Sequence, residues 1–208
     1  MVPYDPAPYL DPARCGIVVF ECQEAVIGEN SRLKGLRADV LQRGMIDNLA
    51  RLLDGAREAG VFIAYCNMAF RPDGLAAPNT PRADNMPAAP PSGPAKVSPV
   101  VPPLQPLDHE LVIERIHGMA SFHGTPLEPA LRDRGVTTLI PTGVSANIGI
   151  IATTVEALGR GLRVAIARDC VAGDPSSYVE DIFKNTLNNL AYLTDGSTIC
   201  QIWRDARR

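Results

Sequence analysis

The chain has 208 residues, of which 46% are apolar, and a net charge of −3. That length suits one domain that buries its own core without staples. Its lysines and arginines are scattered rather than gathered in a stripe, which excludes a nucleic-acid binder of the basic-patch kind.

In chain order, MVPYDPAPYLDPAR places prolines and aspartates where a signal peptide needs a basic start and an apolar core, so the expected location is the cytoplasm. CGIVVFE (15–21) is a continuous apolar strand. Leu36, Val40, Ile46, Leu49, Leu53 and Ala56 then recur at helical spacing, with a stop near Gly60. VFIAYCN (61–67) and ELVIER (110–115) read as strands, and LEPALRDRG (127–135) as a short helix. TTLIPTGV (137–144) is a strand, NIGIIATTVEALGRG (147–161) a helix and LRVAIARDC (162–170) a strand. A helix over 175–193 and a last strand, STICQIW (197–203), complete the series. Uninterrupted apolar strands alternating with helices predict an α/β fold, three layers deep, with a mostly parallel, doubly wound sheet of about six strands.

Residues 72–106 break that rhythm, holding eleven of the 19 prolines. Two readings stand: a solvated connector, or a flap over the carboxyl ends of the strands. No run of about 18 apolar residues predicts a membrane span. The five cysteines are widely spaced without a CxxC, so they read as reduced core thiols rather than disulfides or metal ligands. No phosphate-binding glycine loop and no GxSxG elbow follows any strand, and neither a metal nor a cofactor is expected.

In a parallel sheet, ligands bind beyond the carboxyl ends of the strands. Three segments end there: Glu21 and Gln23 after the first strand, Arg115 and His117 after the third, and Gly143 to Gly149 after the fourth. Singly, each has an ordinary structural explanation. Together, an acid, a cation and a helix start make a candidate site.

The order of elements, FECQ after the first strand, and SFHGTPLEPALRDRGVTTLIPTGV running into ANIGIIATTVEALGRGLRVAIARDCVAG resemble the isochorismatase-like hydrolase family. The resemblance implies a single domain over 1–208, with the proline-rich stretch at 72–106 outside the matching part. It also implies a dimer or tetramer acting on a small molecule, with no nucleic-acid or membrane partner. Cysteine hydrolases of that family use an aspartate, a lysine and a cysteine, with a non-proline cis peptide before the cysteine. The matching positions here are Glu21, Arg115 and Gly149.

The family's true isochorismatases also have glycine there, in a segment GVxAxxG that GVSANIG resembles. They protonate a vinyl ether and add water, with no thiol nucleophile. By that likeness Glu21 is the expected acid and Arg115 the expected holder of a substrate anion, since its fork suits a carboxylate. His117 is the nearby imidazole expected to shuttle a proton. Gln23, Phe122, Ser145 and Asn147 complete the expected substrate-binding set. Two functions follow: a hydrolase of C–O or C–N bonds that uses water and no cysteine, or a non-catalytic descendant that binds a metabolite or partner. A cysteine-dependent amidase, needing Cys22 or Cys170, comes third.

Overall fold

β1 (Cys15–Phe20) is buried along its whole length, and both of its edges are paired. The computed structural model describes residues 4–69, 81 and 97–207. On one side β1 runs parallel to β2 (Phe62–Met68), and β2 to β3 (Leu111–Arg115). On the other it runs parallel to β4 (Thr138–Val144), followed by β5 (Arg163–Ala167) and β7 (Tyr192–Thr194). The order is therefore β3-β2-β1-β4-β5-β7, with β6 (Val171–Ala172) pairing the end of β4. β5 and β6 line the same edge of β4, separated by a short turn at Arg168–Cys170.

Alternation along β1 divides the core into two layers. Ile17 and Val19 pack with α2 (Lys34–Gln42), α3 (Met45–Ala59) and α7 (Gly196–Ala206). Val18 and Phe20 face α4 (Leu127–Asp133), α5 (Ile151–Gly159) and α6 (Ser176–Asn185). A short α1 (Glu24–Ile27) follows β1. The expected three-layer, doubly wound α/β architecture is what forms.

Two expectations at the C-terminal end are corrected. The run 197–203 is not a strand but lies inside α7, where Asp195 caps the start by accepting from Thr198 N at 2.8 Å. Its Ile199, Cys200 and Trp203 fall on one helical face and are buried in the layer with α3. The helix expected over 175–193 stops at Asn185, and Tyr192–Thr194 forms the edge strand beside β5. The helix expected over 147–161 begins as a wider π turn at Ala146–Ile150 before α5. Of the proline-rich stretch 72–106, only Pro81 and residues 97–106 are described, so the connector and flap readings fall mostly outside the described residues.

The chain winds outward from β1 to β3, then returns to lay β4 on the other side of β1. The crevice between the carboxyl ends of β1 and β4 is the topological switch point, where such sheets bind ligands. Glu21 and the segment 143–149 flank it.

Candidate active site

Glu21 leaves β1 with φ of 51°, a left-handed conformation that no other non-glycine residue adopts among the described residues. For an L-residue this costs roughly 1–2 kcal/mol. Its backbone N–H donates to Cys66 O at 3.1 Å, which ties the strand end to β2. Its carboxylate accepts a hydrogen bond from Arg115 Nη2. β3 lies two strands from β1, roughly 10 Å away, so the arginine reaches across β2 to make this contact. Glu21's side chain is 16% exposed and Arg115's 5%.

Arg115 also donates from Nη1 to the backbone carbonyls of His117 and Gly118. Its Nε is buried, with no hydrogen-bond partner among the described residues. The guanidinium carbon lies 5.1 Å from the centroid of the Phe20 ring.

The same ring packs against Gly149. A Cβ added at 149 would sit 2.3 Å from Phe20 Cε1, 2.7 Å from Cδ1 and 3.0 Å from Cζ. The glycine is thus the space into which Phe20 packs. Gly143 is constrained too: its φ is 94°, and a Cβ there would meet Phe20 O at 2.3 Å. The Val144–Ser145 peptide between these glycines is cis.

Burial pushes the Glu21 carboxyl above the ordinary carboxylate range, and the adjacent Arg115 charge offsets only part of that shift. The five cysteines are all free and buried. Burial raises the Cys22 and Cys170 thiols, which fits core thiols and disfavours either as a nucleophile. Burial also pushes Cys66 up, to about 11, with Arg115 and a Ser121 hydrogen bond pulling the other way.

The remaining expected site residues are placed as follows. Gln23 is a strut: Nε2 donates to Met68 O at 3.0 Å and Ser98 O at 2.9 Å, and Oε1 accepts from Met68 N at 2.7 Å. It fastens the ends of β1 and β2 to the segment at Ser98–Val101. His117 is exposed, and its backbone carbonyl rather than its ring reaches Arg115. Phe122 belongs to the core layer, under the Arg160 guanidinium at 4.5 Å, with its N–H donating to Glu156 at 3.1 Å. Ser145 is half-buried, and its carbonyl accepts from the N–H groups of Ile148 and Ile150. Asn147 donates to Asp174 O at 3.1 Å, while its Oδ1 is buried with no partner among the described residues.

Glu21, Arg115 and Gly149 therefore share one centre, with Phe20 close to both of the last two. Sequence reasoning missed Phe20. Its signal was a bulky aromatic ending a strand directly before the acid, with a bare glycine opening the helix after the neighbouring strand. Among the described residues, no group of three or more His, Cys, Asp or Glu side chains gathers to hold a metal ion. No helix there is long and apolar enough to cross a membrane.

The parallel sheet, with an acid after β1, a cation after β3 and a cis peptide at the helix start after β4, has the layout of the cysteine-hydrolase class of α/β proteins. Residues 15–198 match the family described as the isochorismatase domain, and the chain belongs to that family. A Bacillus subtilis isochorismatase family protein, YwoC, is 32% identical over 130 residues, covering 62% of this chain and 67% of that protein. The ureidoacrylate amidohydrolase RutB of Methylobacterium radiotolerans is 29% identical over 176 residues, covering 77% of this chain and 68% of that enzyme. A cysteine hydrolase from Pseudomonas syringae shares the fold, with a TM-score of 0.77 at 21% identity over 94% of each chain. Isochorismatase-family hydrolases act on small molecules, and the chain is placed among them.

Proposed function

We propose that the chain hydrolyses a C–O or C–N bond of a small molecule with water as the nucleophile and Glu21 as the acid. The observation that carries this reading is the Glu21 carboxyl at the switch point, buried enough to hold its proton above the ordinary carboxylate range yet still partly exposed. A neutral carboxyl gives a proton to the leaving oxygen or nitrogen, or to the alkene carbon of a vinyl ether. Water adds to the electron-poor carbon, the C–O or C–N bond breaks, and the Glu21 carboxylate recovers a proton from the added water. Arg115 stabilises that carboxylate while the proton is away. The N–H groups at the helix start other than those of Ile148 and Ile150, which already serve Ser145 O, are the donors offered to a substrate carbonyl.

No sulfur stands at position 149, and Phe20 occupies the space a side chain there would need. A covalent thioester route through 149 is thereby disfavoured. The experiment is a panel of vinyl ethers, amides and imides, assayed before and after iodoacetamide treatment of the native protein. Turnover that survives alkylation supports the water mechanism; turnover abolished by alkylation of one thiol refutes it.

A second reading, a non-catalytic binder, is favoured by one specific observation. Three N–H groups of Arg115 are already bound within the chain, and the ring of Phe20 is packed onto Gly149. That reading expects ligands from the panel to raise the melting temperature without being consumed.

A further inference from the structure

Resting on the reading of Glu21 as the acid, we propose that Phe20 is the residue that positions it. The ring, packed against the bare Cα of Gly149 and lying beside the Arg115 guanidinium, holds the cation against the Glu21 carboxyl. It also fills the space a side chain at 149 would need, so the chain takes substrates that need no covalent attachment there.

Phe20 is the last residue of β1 and is 2% exposed. Alternation along the strand turns its side chain into the layer shared with α5, toward the helix start that carries Gly149. Because 149 bears no Cβ, the ring edge approaches that backbone more closely than any other residue type there would allow. The face of the ring then lies under Arg115, 5.1 Å from centroid to guanidinium carbon. An aromatic face attracts a cation, and more strongly where water is excluded, as around this 5%-exposed arginine.

The hydrogen bonds of Arg115 fit the same role. Nη1 is spent on the carbonyls of His117 and Gly118, and Nη2 reaches Glu21. Nε is buried with no acceptor among the described residues, and under this proposal its partner is the π face, whose centroid lies 5.1 Å from the guanidinium carbon. Anchored on three sides, the guanidinium is not free to swing toward a substrate anion. The substrate class that fits is therefore uncharged at its reacting end: a neutral ether, amide or imide, with any carbonyl oxygen met by the helix-start N–H groups. This departs from the expectation that Arg115 grips a substrate carboxylate.

The test uses the full chain labelled with nitrogen-15, the Nε–Hε signal of Arg115 being assigned by its loss in Arg115→Lys. Protons above an aromatic face are shielded, so the signal is expected upfield of the other arginine side chains. Phe20→Leu, which keeps apolar bulk and removes the π face, is expected to abolish that offset and to speed exchange of the proton with water. An Arg115 signal at the common arginine position in the wild type overturns the proposal, and so does an offset that persists in folded Phe20→Leu. The wild-type arm decides even if Phe20→Leu does not fold. Neither arm depends on turnover, so hydrolysis that survived in Glu21→Gln would fail the Glu21 reading separately.

Discussion

Gly149→Ala perturbs the centre with the smallest possible change, one methyl group. Placed ideally, that carbon lies 2.3 Å from Phe20 Cε1, whereas ordinary contact begins near 3.4 Å. The ring would have to retreat by about 1 Å, and its contact with the Arg115 guanidinium, 5.1 Å from its centroid, would shift with it. Overpacking of this kind costs about 1–3 kcal/mol. Against it stands the helix preference of alanine over glycine, up to about 1 kcal/mol. The net expectation in the wild type is a loss of roughly 1–2 kcal/mol, or about 2–8 °C in melting temperature for a chain of this size.

In a Phe20→Leu background the clash is relieved and the helix preference remains, so the same substitution becomes neutral or slightly stabilising. Urea unfolding of the four proteins of this cycle measures the coupling, expected at about 1–3 kcal/mol. Effects that add to within about 0.5 kcal/mol would show that the two positions do not touch, and would refute the packing argument.

Two further outcomes are expected. Gln23→Ala removes a buried amide that serves Met68 N, Met68 O and Ser98 O, so those groups lose their partner together. At about 1–3 kcal/mol for an orphaned buried group, the unfolding free energy should drop by several kcal/mol, with faster hydrogen exchange at 98–101; a change below about 0.5 kcal/mol would contradict the strut. The raised Glu21 carboxyl also predicts a sign for stability against pH. Its contribution is fully present below the unfolded carboxylate range, about 4.3, and is lost as pH climbs through the higher folded value, because the unfolded state releases the proton first. Melting temperatures of wild type minus Glu21→Gln should therefore fall with rising pH; a rising difference would mean that Arg115's charge, not burial, governs the carboxyl.

The strands that build the site were legible because both faces of β1 and β4 are buried, which writes an unbroken apolar run into the sequence. STICQIW misled for a related reason. Its β-branched and aromatic residues suit a strand, but Ile199, Cys200 and Trp203 also fall on one helical face, and the Asp195 cap decides between the two. The edge strand Tyr192–Thr194 is three half-buried residues long, too short to stand out from the helix before it.

Within the site, an acid after β1 and a cation after β3 could be read from residue type and position. How Arg115 spends its hydrogen bonds could not, since two of its partners are backbone carbonyls. Nor could the identity of what Gly149 makes room for, because Phe20 is 129 positions away along the chain and meets it only through the β1–β4 pairing. The same limit explains Gln23 and Phe122. Both sit at expected positions, yet one is committed to backbone bracing and the other to the core.

The most direct measurement is the pH dependence of hydrolysis by wild type and by Glu21→Gln, on whichever panel compound turns over, at temperatures where both proteins are folded. A wild-type rate that declines as the carboxyl ionises, with Glu21→Gln slower by at least about 100-fold, is the predicted result for loss of a general acid. An amide variant that matches the wild type across the profile would contradict it.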